Sequence, residues 1–387
     1  MLKILIDATP ISPKPSGVGL YVASLIQALS ILQSQEDFQL GIAYQPRLKN
    51  WLRGEGEFPD YLKLYPELYF LPLPIRLSNL ILDNFPRLLP FYFERHLDSP
   101  NIVHGTNYNV YPYKKSIKIM SLYDISFIKY PQYTNSVVKT YARRVKQCLQ
   151  WTDLIISISE SSKNDIIKYL HVPPAHIYVT PLASRYYPNY LSPEIREQLK
   201  LSVKYDFSKP YILFVSTIEP RKNIKTIISA YNFLKQKYKI EHQLVLIGQK
   251  GWHHQPIFAA IESSHWRSQI HHLDYLSDEL VALFYSKAEA FVYPSYYEGF
   301  GLPVLEAMTL GAPVITSNTS SLPEVAGDAA LFVNPDDPMD LVDAILQIIS
   351  DSNLRHELIE KGHKRAKLFS WERTARETLK AYKSLVK

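Results

Sequence analysis

Short apolar runs alternate with longer segments of helical periodicity along nearly the whole chain. The runs occupy residues 2–6, 39–43, 102–104, 117–122 and 154–157 in the first half, and 211–215, 243–247, 270–273, 290–293, 313–315 and 330–333 in the second. They are bounded by turn residues and are too short for helices, as is typical of strands buried on both faces. Alternation of such strands with helices predicts an α/β fold with parallel sheets and right-handed crossovers.

The chain has 387 residues, which is too long for one ordinary domain and suits two. Residues 186–193, rich in tyrosine and proline and followed by a charged helical stretch, predict a linker. We therefore expect one domain at residues 1–190, a second at 191–370, and a helical tail at 371–387 that packs back across the hinge. Two open parallel sheets would face each other across a cleft, with ligands at the carboxyl ends of their strands.

Composition narrows the class of protein without naming a ligand. With 46% apolar and 21% charged residues, the chain is typical of a soluble globular protein with a sizeable core. The net charge of +6 favours anionic partners such as nucleotide diphosphates, phospholipid headgroups or nucleic acid. Because the basic residues are dispersed and no zinc-finger or RNA-binding signature is present, we predict no nucleic-acid partner.

Three features predict a cytoplasmic protein. Cys148 is the only cysteine and has no partner for an intramolecular disulfide, which fits a reducing compartment. The apolar run at the amino terminus is too short for a signal peptide, and no stretch of eighteen apolar residues is present. Residues 47–95, rich in Pro, Tyr, Phe and Leu with scattered Arg, fit either an acceptor-side segment at the inner membrane face or an insertion that covers the core. We favour the insertion.

The most informative stretch is residues 293–308, in which an apolar strand is followed by a glycine-containing loop and a helix that begins near Pro303. Glu298 lies in the loop and Glu306 near the helix start, so both carboxylates are able to face one cleft. Glycines such as Gly301 allow close approach of a ligand, and free amides at the helix start bind phosphate or sugar oxygens. The alternative, that both acids only stabilise the helix dipole, is disfavoured by the glycine spacing.

This stretch resembles the E-x7-E signature of the GT-B glycosyltransferases of family 4. Residues 311–317 and 322–330 match the same family in the right order. The resemblance implies two Rossmann-like domains and retaining transfer of a hexose from a nucleotide-diphosphate sugar. The donor would lie mainly on the carboxyl-terminal domain and a saccharide or lipid-linked acceptor hydroxyl on the amino-terminal one. Domain closure would exclude water and limit hydrolysis of the donor.

The resemblance also implies roles for individual residues in this stretch. Glu298 would contact hydroxyls of the donor sugar near the reacting carbon. The amides of Phe300, Gly301 and Leu302 would bind sugar or diphosphate, and Glu306 would hold the ribose hydroxyls.

A second motif, residues 214–223, follows the first strand of the second half. Departure of a nucleoside diphosphate builds negative charge, and cations aimed at that charge lower the barrier. Arg221 and Lys222 resemble the diphosphate-binding pair of the family, although Ser216 and Thr217 stand where many relatives carry an arginine. Two exposed cations at a helix start are the alternative. No Asp-x-Asp motif occurs, so we expect neither a metal nor a cofactor beyond the sugar nucleotide.

The first half carries weaker signals. Gly17, in a glycine-containing segment before a helix, resembles the family loop that faces the donor diphosphate; a dinucleotide-binding pattern would need a third glycine. Asp124 resembles the acid of a family His-Asp element and would orient or deprotonate the acceptor hydroxyl, or else cap a helix. Tyr123 stands in place of the histidine. His104, at a strand end, fits equally an acceptor site and a satisfied buried histidine.

Residues 218–223 and the Tyr-Asp pair are similar to mannosyltransferase-like members, so the favoured donor is GDP-mannose and the expected process is polysaccharide biosynthesis. Two alternatives stay open: a noncatalytic nucleotide-sugar-binding protein and a sugar-nucleotide isomerase of the same fold.

Overall fold

The computed structural model describes residues 1–12, 17–54, 58–133 and 136–386, without the side chains of residues 133 and 136–139. Contacts within the chain define two compact units. The first comprises Met1–Leu182 together with Trp371–Lys387, and the second comprises Ala183–Ser370.

The first unit contains a parallel sheet of seven strands. These are β1 (Leu2–Asp7), β2 (Phe38–Tyr44), β3 (Leu68–Phe70), β4 (Ile102–Gly105), β5 (Ile117–Ser121), β6 (Leu154–Ser157) and β7 (Ile177–Val179). Their order in the sheet is β3-β2-β1-β4-β5-β6-β7. The order reverses between β1 and β4, because the chain leaves the middle of the sheet in one direction and later returns to build the other half.

In the part of this unit that the structure describes, seven α-helices connect the strands: α1 (Gly17–Leu32), α2 (Leu48–Leu52), α3 (Ile75–Asn84), α4 (Leu89–Phe93), α5 (Ser126–Lys129), α6 (Ser136–Cys148) and α7 (Glu160–Leu170). Tyr21, Leu25, Leu29 and Leu32 of α1 are buried and recur at helical spacing on one face. The loop from β4 turns at Gly105, where a Cβ atom would lie 1.9 Å from the carbonyl oxygen of Asn109.

The second unit contains a parallel sheet of six strands and eight helices. The strands are β8 (Tyr211–Val215), β9 (Gln243–Ile247), β10 (Ile270–Leu273), β11 (Ala290–Tyr293), β12 (Val314–Ser317) and β13 (Ala330–Val333). The helices are α8 (Pro193–Ser202), α9 (Ile224–Phe233), α10 (Gln255–Glu262), α11 (Asp278–Lys287), α12 (Leu302–Thr309), α13 (Leu322–Ala326), α14 (Pro338–Ser350) and α15 (Ser352–Ala366). The sheet order is β10-β9-β8-β11-β12-β13, with its reversal between β8 and β11. The last helix of the chain, α16 (Trp371–Lys383), packs on α1 in the first unit.

The structure confirms the predicted α/β class and its two parallel sheets, and every predicted apolar run overlaps a strand. The sequence missed β3 and β7. Each has three residues and lies at an edge of its sheet, and most of their positions are only half-buried, so neither produces a continuous apolar run.

Much of the segment at residues 47–95 has regular structure. It supplies β3, α2, α3 and α4, and its Leu82, Leu89 and Phe93 are buried in the core of the first unit. The same segment leaves Phe85 and Phe91 more than half exposed. In the described parts of the chain, no helix has the length and apolar character needed to cross a membrane.

Candidate active site in the second unit

The loop after β8 leaves the sheet at the point where the strand order reverses. A short 3-10 helix, Pro220–Lys222, follows Glu219 and ends at Asn223, whose φ of 59° is left-handed. The Asn223 side chain donates to the Pro335 carbonyl at 2.8 Å and accepts from the Thr226 hydroxyl at 2.6 Å. These hydrogen bonds fix the turn, and the turn directs Lys222 into the protein, where it is 5% exposed.

The loop after β11 begins at the same edge of the sheet, because β11 is paired in parallel with β8. The Ser321 hydroxyl donates to the carbonyls of Glu298 and Phe300 at 2.9 and 2.8 Å, and the Glu298 amide donates to the Ser320 hydroxyl at 3.0 Å. Gly301 has a φ of 109°, and a Cβ atom there would lie 2.7 Å from the Leu322 side chain. A glycine is therefore required immediately before α12.

The two loops bring three of the predicted site residues into one buried ion cluster. Lys222 Nζ lies 2.6 Å from Glu298 Oε1 and donates to the Tyr293 hydroxyl at 2.8 Å. Arg221 lies 3.2 Å from Glu298 Oε2 and 2.8 Å from Glu219 Oε1. One guanidinium and one ammonium group thus face two carboxylates, and the cluster is close to electrically neutral. Arg221 and Lys222 are not the exposed helix-start cations of the alternative interpretation.

Burial and charge act in opposite directions on Glu298. Burial disfavours the carboxylate, but the charges of Lys222 and Arg221 outweigh this effect and lower its pKa to about 2. Burial and the neighbouring Arg221 likewise oppose the charged form of Lys222, yet the carboxylates nearby leave its pKa above the ordinary value. The ion pair is therefore charged at neutral pH.

Glu306 is buried at 4% exposure and is held by a different cation. Arg185 donates to its two carboxylate oxygens at 2.9 and 3.4 Å and donates to Asp278 Oδ1 at 2.9 Å. The Tyr285 hydroxyl lies 3.5 Å from Glu306 Oε2. Burial raises the pKa of Glu306, and Arg185 opposes this effect. Glu298 and Glu306, although close in sequence, thus have separate partners.

The amino-terminal end of α12 presents unpaired donors. In the described part of the chain, the amides of Phe300, Gly301 and Leu302 donate to no protein acceptor. The helix begins with Gly301 as its cap residue and without a side-chain cap. Free amides at a helix start bind anions, because the orphan N–H groups and the helix dipole act together.

The predicted residues of the first unit occupy different surroundings. Asp124 Oδ1 accepts from the Ser126 amide at 2.9 Å and from its hydroxyl at 2.8 Å, which starts α5. Tyr123 is buried, and its hydroxyl donates to the Thr106 carbonyl. The Tyr123 hydroxyl therefore donates its proton to a hydrogen bond within the first unit.

His104 is fully buried between two hydroxyl groups. Its Nδ1 lies 2.6 Å from the Tyr382 hydroxyl and its Nε2 lies 2.8 Å from the Ser121 hydroxyl. Burial lowers its pKa to about 3, so the imidazole is neutral. Of the two interpretations that the sequence left open, the structure supports the satisfied buried histidine.

Gly17 is the first residue of α1 and is exposed, with open space where a Cβ atom would be. The preceding part of its motif, Pro15 and Ser16, lies outside the described residues. Within those residues, no group of three or more His, Cys, Asp or Glu side chains is placed to hold a metal ion.

Sequence reasoning missed two residues that the structure brings to prominence. Arg185 stands next to the segment predicted as a linker, and no motif marks it as the partner of Glu306. Asp7 ends β1, and it has no ion pair among the residues that the structure describes. An acid that ends a buried apolar strand was the available signal for Asp7.

Comparison with known proteins agrees with this geometry. A family model described as "Glycosyl transferases group 1" matches residues 196–365. "O-antigen chain mannosyltransferase B" of Escherichia coli is 32% identical over 392 residues, covering 99% of this chain and 100% of that protein.

Solved structures show the same architecture. Sucrose-phosphate synthase from Thermosynechococcus elongatus has a TM-score of 0.75 at 20% identity, covering 100% of this chain and 99% of that one. Anabaena HepE in complex with UDP and glucose has a TM-score of 0.71 at 15% identity, covering 99% of this chain and 100% of that one. These likenesses show the GT-B fold, and the full-length relative shows the family: this chain belongs to the group 1 glycosyltransferases of the GT-B fold.

Proposed function

We propose that this glycosyltransferase takes a mannosyl group from GDP-mannose, with retention at the anomeric carbon and without a metal ion. The acceptor would be a hydroxyl of a saccharide or of a lipid-linked saccharide in surface-polysaccharide biosynthesis. The observation that carries the proposal is the buried cluster of Lys222, Arg221 and Glu298 at the switch point of the second sheet, close in sequence to three free amides.

The charge balance of this cluster suits a donor that carries both a diphosphate and a sugar. Without a ligand, the two cations are neutralised by Glu219 and Glu298. When the diphosphate binds, Lys222 and Arg221 would contact its oxygens. Glu298 would then accept hydrogen bonds from the sugar hydroxyls in place of its contacts with these cations. Positive side chains and the amides of α12 would then stabilise the departing diphosphate, which is the role a metal has in other transferases.

The same arrangement supports retention. Glu298 is stabilised as an ion-paired carboxylate, which suits binding of hydroxyls better than attack on carbon. Among the residues that the structure describes, the only other acid in the cluster is Glu219, which is paired with Arg221. We therefore propose attack on the same face, guided by the leaving phosphate. Glu306, positioned by Arg185, would bind the ribose diol.

The donor assignment rests on names and on resemblance. The mannosyl group is supported by the name of the Escherichia coli relative, a mannosyltransferase. HepE carries UDP in its solved structure, so UDP sugars are the competing donors. Gly17 would face the diphosphate and Asp124 would orient the acceptor hydroxyl, as the family resemblance implies.

A donor panel tests the proposal. GDP-mannose, UDP-glucose, UDP-galactose and UDP-N-acetylglucosamine are compared for thermal stabilisation and for slow hydrolysis. A ligand at a hundred times its Kd adds about 2.7 kcal/mol to the stability of the folded state. GDP-mannose should stabilise the protein most and release GDP.

Product analysis separates the proposal from its alternatives. Transfer yields a new glycoside and free nucleotide diphosphate, isomerisation leaves the nucleotide attached, and a binding protein yields neither. An α-glycoside identified by NMR from α-linked GDP-mannose supports retention, and a β-glycoside contradicts it. Glu298→Ala should nearly abolish turnover, whereas Glu306→Ala should mainly weaken nucleotide binding. Undiminished turnover in both variants contradicts the site assignment.

A further inference from the structure

A cavity of about 450 Å³ lies in the first unit, where the order of its strands reverses. Its lining includes Asp7 at the end of β1 and Asn107 and Asn109 after β4. Ligands of open α/β sheets bind outside the carboxyl ends of the strands at such a point. We call this cavity the switch pocket; its volume is in the range of small-molecule sites.

The lining of the switch pocket includes hydrogen-bonding groups of the kind that bind sugar hydroxyls. Asp7 Oδ1 accepts from the Thr9 amide at 2.9 Å and has no cation paired with it in the described part of the chain. Burial raises the pKa of Asp7. The Asn109 side chain, 7% exposed, donates to Asn79 Oδ1 at 3.2 Å. Carboxylates and side-chain amides together supply acceptors and donors for a diol.

The lining also includes the arginines Arg47, Arg76 and Arg144. Arg144 contributes little free charge, because it donates to both carboxylate oxygens of Asp83 at 3.0 and 2.9 Å. Arg47 and Arg76 line the pocket from two different elements, just before α2 and within α3. Both are exposed, and neither guanidinium has a hydrogen-bond or ion-pair partner among the described residues.

An isolated exposed arginine is ordinarily a solvated surface charge. Here two guanidinium groups and one carboxylate, none of them ion-paired to a described residue, line the same concave site. A neutral sugar would use Asp7 and the asparagines and make no use of the two arginine charges. A sugar that carries a phosphate would use both sets of residues, because guanidinium groups bind phosphate oxygens through paired charge-assisted hydrogen bonds.

We propose that the switch pocket is the acceptor site and that it selects a glycosyl phosphate. The sugar would lie against Asp7 and the Asn79–Asn109 pair, with its phosphate against Arg47 and Arg76. This inference rests on the proposed transferase function and names the class of its acceptor. The phosphate comes either from a free sugar phosphate or from a lipid-linked phosphodiester. Leu80, which lines the pocket, and Phe85 nearby in sequence are exposed apolar residues that a lipid chain would contact.

Equilibrium binding to the full-length protein tests this inference without depending on turnover. By calorimetry, the 1-phosphates of mannose, glucose, galactose and N-acetylglucosamine are compared with their methyl glycosides and with inorganic phosphate. At least one 1-phosphate should bind about tenfold or more tightly than its methyl glycoside, the effect expected of charge-assisted hydrogen bonds. Inorganic phosphate should bind more weakly than that 1-phosphate.

Variants test which residues cause the preference for the 1-phosphate over the methyl glycoside. Arg47→Ala/Arg76→Ala should remove the preference for the 1-phosphate. Arg53→Ala/Arg87→Ala, with the same loss of charge at two exposed positions outside the pocket lining, should retain it. Asp7→Asn should weaken the 1-phosphate and the methyl glycoside alike. Circular dichroism verifies that each variant is folded.

Two outcomes overturn the inference: equal affinity for every 1-phosphate and its methyl glycoside, or a preference that survives in Arg47→Ala/Arg76→Ala. A further ligand, the farnesyl phosphodiester of the sugar whose 1-phosphate binds most tightly, identifies the source of the phosphate. Tighter binding than the free 1-phosphate indicates a lipid-linked acceptor, and equal binding a soluble one. Donor stabilisation and hydrolysis are measured separately, so failure at this pocket is distinguishable from failure of the proposed transferase function.

Discussion

The ion pair between Lys222 and Glu298 offers the sharpest test of the site, because its two partners are almost completely buried. Glu298→Gln keeps the shape of the side chain and removes its charge. The pKa of Glu298 falls from its ordinary value of 4.5 to about 2. That difference corresponds to about 3 kcal/mol of folded-state stability at neutral pH. Loss of one partner from a buried ion pair has a similar cost, roughly 3–5 kcal/mol.

The expected result is a lower melting temperature, by roughly 6–12 °C for a unit of this size. Scanning calorimetry at pH 7 measures it on the full-length protein. The matched control is Glu357→Gln, which breaks a 2.8 Å pair with Lys361 on the surface of α15. Because that pair is exposed to water, its loss should cost less than about 0.5 kcal/mol.

The double variant Glu298→Gln/Lys222→Met distinguishes an unpaired buried charge from general damage to the fold. It removes both charges, so it should be more stable than Glu298→Gln alone while remaining inactive. The reasoning is refuted if Glu298→Gln melts within about 1 °C of the wild type, or if the double variant is no more stable than that single variant.

The same pair predicts a pH dependence with a defined sign. Since the folded-state pKa of Glu298 is depressed, its stabilisation is present above pH 4.5 and is lost as the pH falls toward 2. Glu298→Gln lacks this part of the acid sensitivity. The difference in melting temperature between wild type and variant should therefore shrink below pH 4.5; a constant difference would contradict the assignment.

Three further predictions follow from single positions. Arg185→Ala should weaken binding of the free nucleoside diphosphate about tenfold or more by calorimetry, because Glu306 loses the guanidinium that orients it; an unchanged Kd would contradict that role. Since the neutral form of His104 is favoured in the fold, stability should fall by up to about 1.4 kcal/mol for each pH unit below 6.5, and His104→Gln should reduce this slope in calorimetric scans. A slope equal to that of the wild type would argue against a neutral buried imidazole. Gly301→Ala places a side chain at a φ of 109° and should cost about 1–3 kcal/mol, whereas Gly17→Ala, with open space around it, should leave urea-unfolding stability unchanged. Equal stability losses in the two glycine variants would refute this distinction.

Local pattern predicted most of the fold, and it singled out Arg221, Lys222, Glu298 and Glu306 in the second unit. Strands buried on both faces are continuous apolar runs, so the eleven long enough to form such runs were predictable. The edge strands β3 and β7 were not, because few of their residues are buried. The glycine, proline and glutamate spacing of residues 293–308 predicted the loop and the helix start that the structure has, and it led to the proposal that they bind a ligand.

Local sequence pattern did not predict which charged residues form ion pairs with one another. Lys222 and Glu298 are 76 residues apart in the chain, and Arg185 and Glu306 are 121 apart. Each pair meets only because of how the strands and helices of the second unit pack. The sequence named the two glutamates together, whereas the structure gives each its own cation.

In the first unit, too, local pattern identified residues but not their contacts. The sequence singled out Asp124 and His104, and the structure uses Asp124 to start α5 and His104 to link two buried hydroxyls. Asp7 belongs to no recognised motif, yet it lines the switch pocket.

The sequence by itself thus determined the two parallel sheets, the family and the charged residues of the loops after β8 and β11. These depend on burial patterns and turn residues within short windows of chain. Only the tertiary structure decided which charges neutralise one another, which polar groups remain unpaired, and where a cavity lies. Those properties arise from contacts between distant segments, and desolvation in the folded core sets their energies.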